Sequence, residues 1–376
     1  HHTGEIAYII FFLMGAMTIV ELVDAHEGFS LITDKIKARN KVQLLWMIGW
    51  FTFFLSSVLD NLTTTIVMIS LLRKLIADRE TRLFFAGIVV IAANAGGAWT
   101  VIGDVTTTML WIKHKIGTVE VMQDLFFCSV ICLLVPLIAL SMSKFMKGEL
   151  ISPEKVEGHH QLNLQTWHKA LFLLLGLGAL LSVPVFKAYT HLPPFMGMIL
   201  ALGLLWVVSE VVGKNFDERT RSSTGVLHAL KKVDMSAILF FLGILLAVGS
   251  LGSMGTLGNL ATWLDEKVQS HTIVAVIIGL VSAVVDNVPL VAAGIEMYTM
   301  PINDTFWMLL AYCAGTGGSC LIIGSAAGVA AMGLEHINFF WYMKKITPWA
   351  LLGYFAGVAA YMLQHALLGP SGGVGH

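Results

Sequence analysis

Charge is scarce in this chain. Only 12% of its 376 residues are Asp, Glu, Lys or Arg, and 56% are hydrophobic. An average soluble domain carries about 25% charged residues, so a water-soluble globular class is excluded. The net charge of -1 leaves no field for nucleic acid or for a strongly acidic partner. Cysteines are few, and Cys128, Cys132, Cys313 and Cys320 all fall in apolar runs. Cys128 and Cys132 sit one helical turn apart, which suits packing and not a disulfide framework. The opening HHTGEIAYII lacks a basic n-region, so no cleavable signal peptide is expected. No nucleophile–base pair and no metal-ligand motif is visible, so neither an enzyme nor a resident cofactor is expected.

What the chain has instead is a series of apolar runs of the length needed to cross a hydrocarbon core of about 30 Å. Membrane elements are expected at about 4–24, 43–75, 81–112, 122–147, 167–187, 192–212, 235–256, 271–299, 303–334 and 347–368. Two of them, 43–75 and 271–299, are too long for one simple span and carry polar, turn-prone residues at their middles. They read as re-entrant hairpins. The runs 81–112 and 303–334 are each broken by a Gly-rich stretch, NAGGAWTVIGD and GTGGSCLIIGS. They read as discontinuous transmembrane helices, since irregular backbone at membrane depth is tolerated only where protein buries it or it lines a cavity.

These features come in pairs. Asp60-Asn61 matches Asp286-Asn287, Gly96-Gly97 matches Gly317-Gly318, Ile102-Gly103 matches Ile323-Gly324, and FLMGAMTIVEL resembles FLGILLAVGSL. The expected fold is an all-α polytopic membrane protein of inverted repeats with two re-entrant helical hairpins and two discontinuous transmembrane helices. The first repeat is 1–147, 148–166 is a cytoplasmic linker, and 167–376 is the second repeat. The first repeat lacks the two leading helices of the second, which suggests a missing N-terminal portion. A complete repeat would cross five times, and an odd number inverts the second copy. With both hairpins treated as non-crossing, nineteen of the 23 Lys and Arg fall on one side. Only Lys113, Lys115, Lys187 and Lys267 fall on the other. The rich side is cytoplasmic by the positive-inside rule, which places both ends of the chain outside the cytoplasm.

Acids inside apolar runs are functional candidates by default. Asp60, Asn61, Thr63, Thr64 and Thr65 cluster at the first hairpin tip, and Asn94, Thr100, Asp104, Thr106, Thr107 and Thr108 flank the first break. The second repeat supplies Asp286, Asn287, Thr316, Ser319 and Ser325, with Ser325 aligned to Asp104. Carboxylate, amide and hydroxyl oxygens are hard ligands that suit a small hard cation. Asp60, Asp104 and Asp286 are expected to be the three deepest carboxylates and to exchange protons against the cation. The plainer role of Asp60 and Asp286, capping a helix start, is compatible with this. Glu21, Asp24 and His26 follow the first helix. They read either as a cytoplasmic pH sensor or as an interfacial polar cluster, the latter favoured because side chains at a helix end reach water.

The segments MTIVELVDAHEGF, SSVLDNLTTTIVMISLLRKL, NAGGAWTVIGDVTTTMLW and SAVVDNVPLVAAGIEMY closely resemble NhaD-type sodium/proton antiporters of the ion transporter superfamily. The resemblance runs over essentially the whole chain. It implies efflux of Na+ or Li+ in exchange for protons, in a bacterial inner membrane or a plant plastid envelope. It also implies homodimers with elevator-like motion, and a further N-terminal helical region that belongs mainly to the scaffold. By motif its functional residues fall on Asp60, Asn61, Thr63, Asn94, Asp104, Thr106, Thr107, Asp286, Asn287, Thr316 and Ser319, with the metal ion at Asp60, Asn61, Asp104, Asp286 and Asn287. The partners are then small cations and the lipid bilayer. Two rivals share the architecture. A sodium-coupled anion or dicarboxylate symporter is opposed by aspartates at both tips with no Lys or Arg to pair an anion. An arsenite carrier would favour neutral polar or thiol contacts, and Cys313 and Cys320 flank the second break. A passive channel is opposed by hairpins that close from opposite faces.

Overall fold

In the computed structural model, which describes residues 2–33, 40–146, 148, 164–190, 192–233 and 235–368, every long element is helical. In chain order these are α1 (His2–Ala25), α2 (Ser30–Thr33), α3 (Lys41–Ser56), α4 (Asn61–Leu75), α5 (Arg79–Gly97), α6 (Val105–Ile112) and α7 (Thr118–Ser141). They continue with α8 (Thr166–Thr190), α9 (Pro194–Gly213), α10 (Glu218–Thr224), α11 (Val226–Lys232), α12 (Met235–Ser253) and α13 (Thr256–Val268). The last are α14 (His271–Val281), α15 (Asn287–Met297), α16 (Thr305–Gly317), α17 (Ala326–Glu335), α18 (Phe339–Lys345) and α19 (Thr347–Leu368). Most of the expected linker, residues 149–163, lies outside the described residues. So do five of the basic residues counted above, Lys35, Lys37, Arg39, Lys147 and Lys155.

Five of the described helices are long and apolar enough to cross a membrane, and a sixth span arises if the bent pair Leu242–Leu251 and Thr256–Val268 is taken as one. The protein is an integral membrane protein. That pair turns by 71°, at a place where Gly255 adopts φ 74°, a left-handed conformation open to a residue without Cβ. The run expected at 235–256 therefore ends as helix at Ser253, and α13 is an element that hydropathy alone did not reveal.

Packing divides the chain into two units. One comprises the described residues of 1–37 and 154–243, the other those of 38–153 and 244–376. In the first unit α1 packs on α8 and α9. Gly176 lies under Val23 and Ile19, and Gly15 lies under Met198. Leu174 and Leu181 of α8 and Leu204 and Val207 of α9 remain exposed, an apolar surface that lipid solvates without cost.

The second unit contains two sets of four helices, with α7 packed on α19 beside them. Each set is a pair of short helices around an Asp-Asn step (α3–α4; α14–α15) followed by a helix, a break and a second helix (α5–α6; α16–α17). Asp caps the start of corresponding helices. Asp78 accepts from Thr81 N at 2.8 Å ahead of α5, and Asp304 accepts from Phe306 N at 2.8 Å ahead of α16. The glycines make the match geometric. A Cβ on Gly96 would strike the carbonyl of Phe53 in α3, and one on Gly317 would strike that of Gly279 in α14. The backbones touch where the sequence has only hydrogen to offer, which lets α5 end against α3 and α16 end against α14. The two sets also interlock, α4 against α17 and α6 against α15.

Candidate functional site

α4, α6, α15 and α17 each start with a polar cap, and Asp60, Asp104 and Asp286 among these caps are candidate ion residues. A cap side chain must reach the free N–H groups of the first turn, so it stays at the helix mouth. Asp60 caps α4, its Oδ1 accepting from Thr63 N at 2.8 Å and its Oδ2 from Thr63 Oγ1 at 2.7 Å. Asp104 caps α6, its Oδ1 accepting from Thr106 N and Thr106 Oγ1, both at 2.9 Å. Asp286 caps α15 through Val288 N at 3.0 Å. Ser325 caps α17 through Gly328 N at 3.2 Å, which puts a hydroxyl where the first set has the Asp104 carboxylate.

A hydrogen-bonded chain ties the two sets together. Asn61 Nδ2 donates to Asp104 Oδ2 at 2.8 Å and to Asn94 Oδ1 at 2.9 Å. Asn94 Nδ2 in turn donates to Ser319 Oγ and Ser325 Oγ, each at 2.9 Å. Both N–H groups of the Asn61 side chain are thus used on acceptors. Gly315 adds room: a Cβ there would stand 3.7 Å from Asp104 Oδ2 and 4.0 Å from Thr106 Oγ1. Asp104 is only 1% exposed, and Asp286 and Asp60 are both close enough to act on it electrostatically.

Of the candidates, Asn61, Asn94, Asp104, Thr106 and Ser319 form one contiguous cluster. Asp60 and Thr63 form a closed pair beside it. Thr107 bonds back to Asp104 O at 2.9 Å and Thr316 to Tyr312 O at 2.6 Å, so both hydroxyls are committed to their own helices. Asn287 is buried at the start of α15, the place that Asn61 holds at the start of α4. The expectation that Asp60, Asp104 and Asp286 are the deepest carboxylates needs correction. Among the described residues Asp104, Asp124 and Glu335 are buried, whereas Asp60 and Asp286 are half-buried. Caps at helix mouths keep part of their surface open, whereas Glu335 is covered by two arginines. Gly315 and Glu335 were missed by the sequence reading; the signal for Gly315 was its place in the Gly-rich break, and Glu335 gave none.

Glu21, Asp24 and His26 belong to the first unit, not to the unit that builds this cluster. His26 lies one residue beyond the span Ile6–Ala25 and is buried. Its Nδ1 is 2.9 Å from Leu22 O and its ring stacks on Phe172 at 3.4 Å. Burial pushes the imidazole from 6.5 down to about 4 against the opposing pull of the Leu22 carbonyl. The folded chain thus holds His26 neutral where an unfolded chain protonates it, which favours the polar-cluster reading over a neutral-pH sensor. Its contribution to stability is complete above pH 6.5 and is withdrawn as pH falls towards 4. The expected cost is on the order of 3 kcal/mol at the acid end. It would be read as a fall in unfolding midpoint over that window that His26→Phe does not show.

A family model described as citrate transporter (CitMHS) matches residues 6–304. Sodium/proton antiporter 1 of Arabidopsis thaliana is 52% identical over 370 residues, covering 98% of this chain and 63% of that protein. Sodium/proton antiporter 2 of the same plant is 48% identical, covering 97% of this chain and 87% of that protein. The Na(+)/H(+) antiporter NhaD of Vibrio cholerae is 33% identical over 389 residues, covering 96% of this chain and 79% of that protein.

Proposed function

The chain belongs to the CitMHS transporter family and, within it, to the NhaD-type Na+/H+ antiporters, and on that premise we propose that it exports Na+ or Li+ in exchange for protons, with cation and protons alternating on Asp60, Asp104 and Asp286. The observation that carries this reading is the setting of Asp104. It is a buried carboxylate with two further carboxylates in electrostatic range, and its hydrogen-bond partners are amide, hydroxyl and backbone N–H groups, with no Lys or Arg. Uncompensated like charges are costly away from water, so the cluster is neutralised either by a cation or by protons. Both compete for the same oxygens, and that competition is sufficient for exchange.

In this reading Thr106 holds one Asp104 oxygen and Asn61 holds the other, and the cation binds on the lone pairs these donors leave, on the side of Gly315. The Asn61 carbonyl and the half-buried Asp60 and Asp286 oxygens supply the other hard ligands. In the same reading α3–α4 and α14–α15 are re-entrant hairpins, α5–α6 and α16–α17 are discontinuous membrane helices, and the two sets are inverted repeats. A carboxylate substrate, as the family description would suggest, finds like charge here and no cationic partner.

Reconstitution into liposomes preloaded with Na+ tests the proposal. Dilution into Na+-free medium is expected to acidify the lumen as Na+ leaves and protons enter. Asp60→Asn and Asp286→Asn are each expected to slow this at least about tenfold, because each removes a cation ligand and a proton acceptor together. Sodium-driven uptake of citrate with no proton movement would replace the proposal with symport.

A further inference from the structure

Three helices leave the polar cluster of the second unit and meet again at their far ends. α4 starts at Asn61 and carries Arg73 in its last turn. α5 carries Arg82 near its start and Asn94 near its end. α17 is capped by Ser325 and ends at Glu335. From Asn61 to Arg73 and from Arg82 to Asn94 the helical rise is ~18 Å, and from Ser325 to Glu335 it is ~15 Å, so the three are struts of nearly equal length.

Both ends of these struts are tied. At the cluster, Asn61 bonds to Asn94 and Asn94 to Ser325. At the far end, the Glu335 carboxylate takes Arg73 Nε on Oε1 at 2.6 Å and Arg82 Nε on Oε2 at 2.9 Å. Arg73 also donates to the Leu334 carbonyl and Arg82 to the Ile76 carbonyl. The Glu335 side chain is 3% exposed, against 48% for Arg73 and 21% for Arg82. One buried carboxylate thus holds two arginines from the other repeat, across more than 250 positions of sequence.

We propose that Glu335 is a positioning residue for the cation cluster: by clamping Arg73 and Arg82 it holds α4, α5 and α17 in the mutual register that keeps Asn61, Asn94 and Ser325 within hydrogen-bond reach. The proposal rests on the antiport reading of that cluster and adds to it a distant determinant of cation affinity. An open depression of about 440 Å³ lined by Arg73, Arg79, Arg82, Leu334, Glu335 and His336 surrounds the clamp. Arginines released from Glu335 can turn into that space, so loss of the carboxylate lets the strut ends part without burying two unpaired cations.

The test uses the full chain in liposomes, with sodium-driven proton flux measured over a range of Na+ at fixed pH. Glu335→Gln is expected to raise the apparent KM for Na+ about tenfold while the maximal rate stays within about twofold, the scale of a coupling energy near 1.4 kcal/mol. Glu335→Asp, which keeps the charge, is expected to restore most of the affinity. A fall in unfolding midpoint with KM unchanged in the surviving protein would reduce Glu335 to a structural ion pair and overturn the proposal. If Glu335→Gln does not yield folded protein, Arg82→Gln is read in the same way, because it opens one arm of the clamp and keeps the other. No exchange by the unaltered protein defeats the antiport reading; exchange with wild-type KM in both Glu335→Gln and Arg82→Gln defeats the clamp alone.

Discussion

Replacing Asp104 by Asn is expected to abolish sodium-driven proton movement, a loss of at least about a hundredfold. Two unit charges about 4 Å apart at an effective dielectric near 20 interact by ~4 kcal/mol, and a neutral amide forfeits most of that with a bound cation. A partial dipole recovers some of it, which puts the smallest expected loss at about a hundredfold. The fold is spared for a local reason. Asp104 caps α6 through Thr106 N, and Asn caps helices as well as Asp does. The single Asn oxygen keeps the Thr106 contacts, so its amide nitrogen takes the place of Oδ2 and Asn61 loses one acceptor. Folded protein should therefore still accumulate, with an unfolding midpoint lowered by the scale of one lost hydrogen bond, about 1 kcal/mol, while Asp104→Ala should lose about 1 kcal/mol of capping in addition. Flux is read with a pH dye in the lumen, and midpoint by thermal unfolding in detergent. Full exchange by Asp104→Asn would remove Asp104 from the ion path.

The second large effect is structural and falls on two glycines at once. Gly96→Ala and Gly317→Ala are each expected to prevent accumulation of folded protein. Ala is favoured over Gly in a helix interior by about 1 kcal/mol, so propensity alone predicts a gain. Packing reverses the sign. The added Cβ would overlap the backbone carbonyl of Phe53 in one case and of Gly279 in the other, and backbone held in a helix cannot swing aside as a side chain can. Overpacking of a fixed contact costs about 1–3 kcal/mol and more where nothing gives. Gly178 and Gly203 are the controls, because a Cβ on either meets nothing within 4 Å. Their Ala variants should express as well as the parent, as judged by monodisperse peak area in detergent. Equal yields from all four variants would mean that the close approach of α3 to α5 and of α14 to α16 does not hold in the membrane.

Much of this arrangement was legible before any coordinates. The Asp-Asn steps and the Gly-rich stretches interrupt apolar runs, and α3–α4, α5–α6, α14–α15 and α16–α17 begin and end within a few residues of those interruptions. A polar residue in an apolar run needs a partner, as a cap, as a ligand or, like Thr316, on its own helix, and at the Asp-Asn steps chemistry and secondary structure are written at the same positions. What the residues did not disclose depends on contacts between distant parts of the chain. Glu335 looks like an ordinary acid at a helix end until Arg73 and Arg82 close over it. Asp60 and Asp286 look deeper than they are, because hydropathy does not show that a helix mouth stays open. The grouping of α1 with α8 and α9 in one unit is likewise set by packing and not by any local pattern.

Mutual exclusion of metal ion and proton at one set of oxygens is the claim on which the rest depends, and its direct test is the apparent KM for Na+ as a function of pH, measured on the same liposomes with maximal rate recorded at each point. If a proton and the cation displace each other at the Asp104 cluster, KM should rise about tenfold for each unit of acidification on the acid limb, with the maximal rate at saturating Na+ unchanged, as binding linkage requires. A KM that stays flat across the same limb while the maximal rate falls would contradict the account, since the two ions would then be using separate sites.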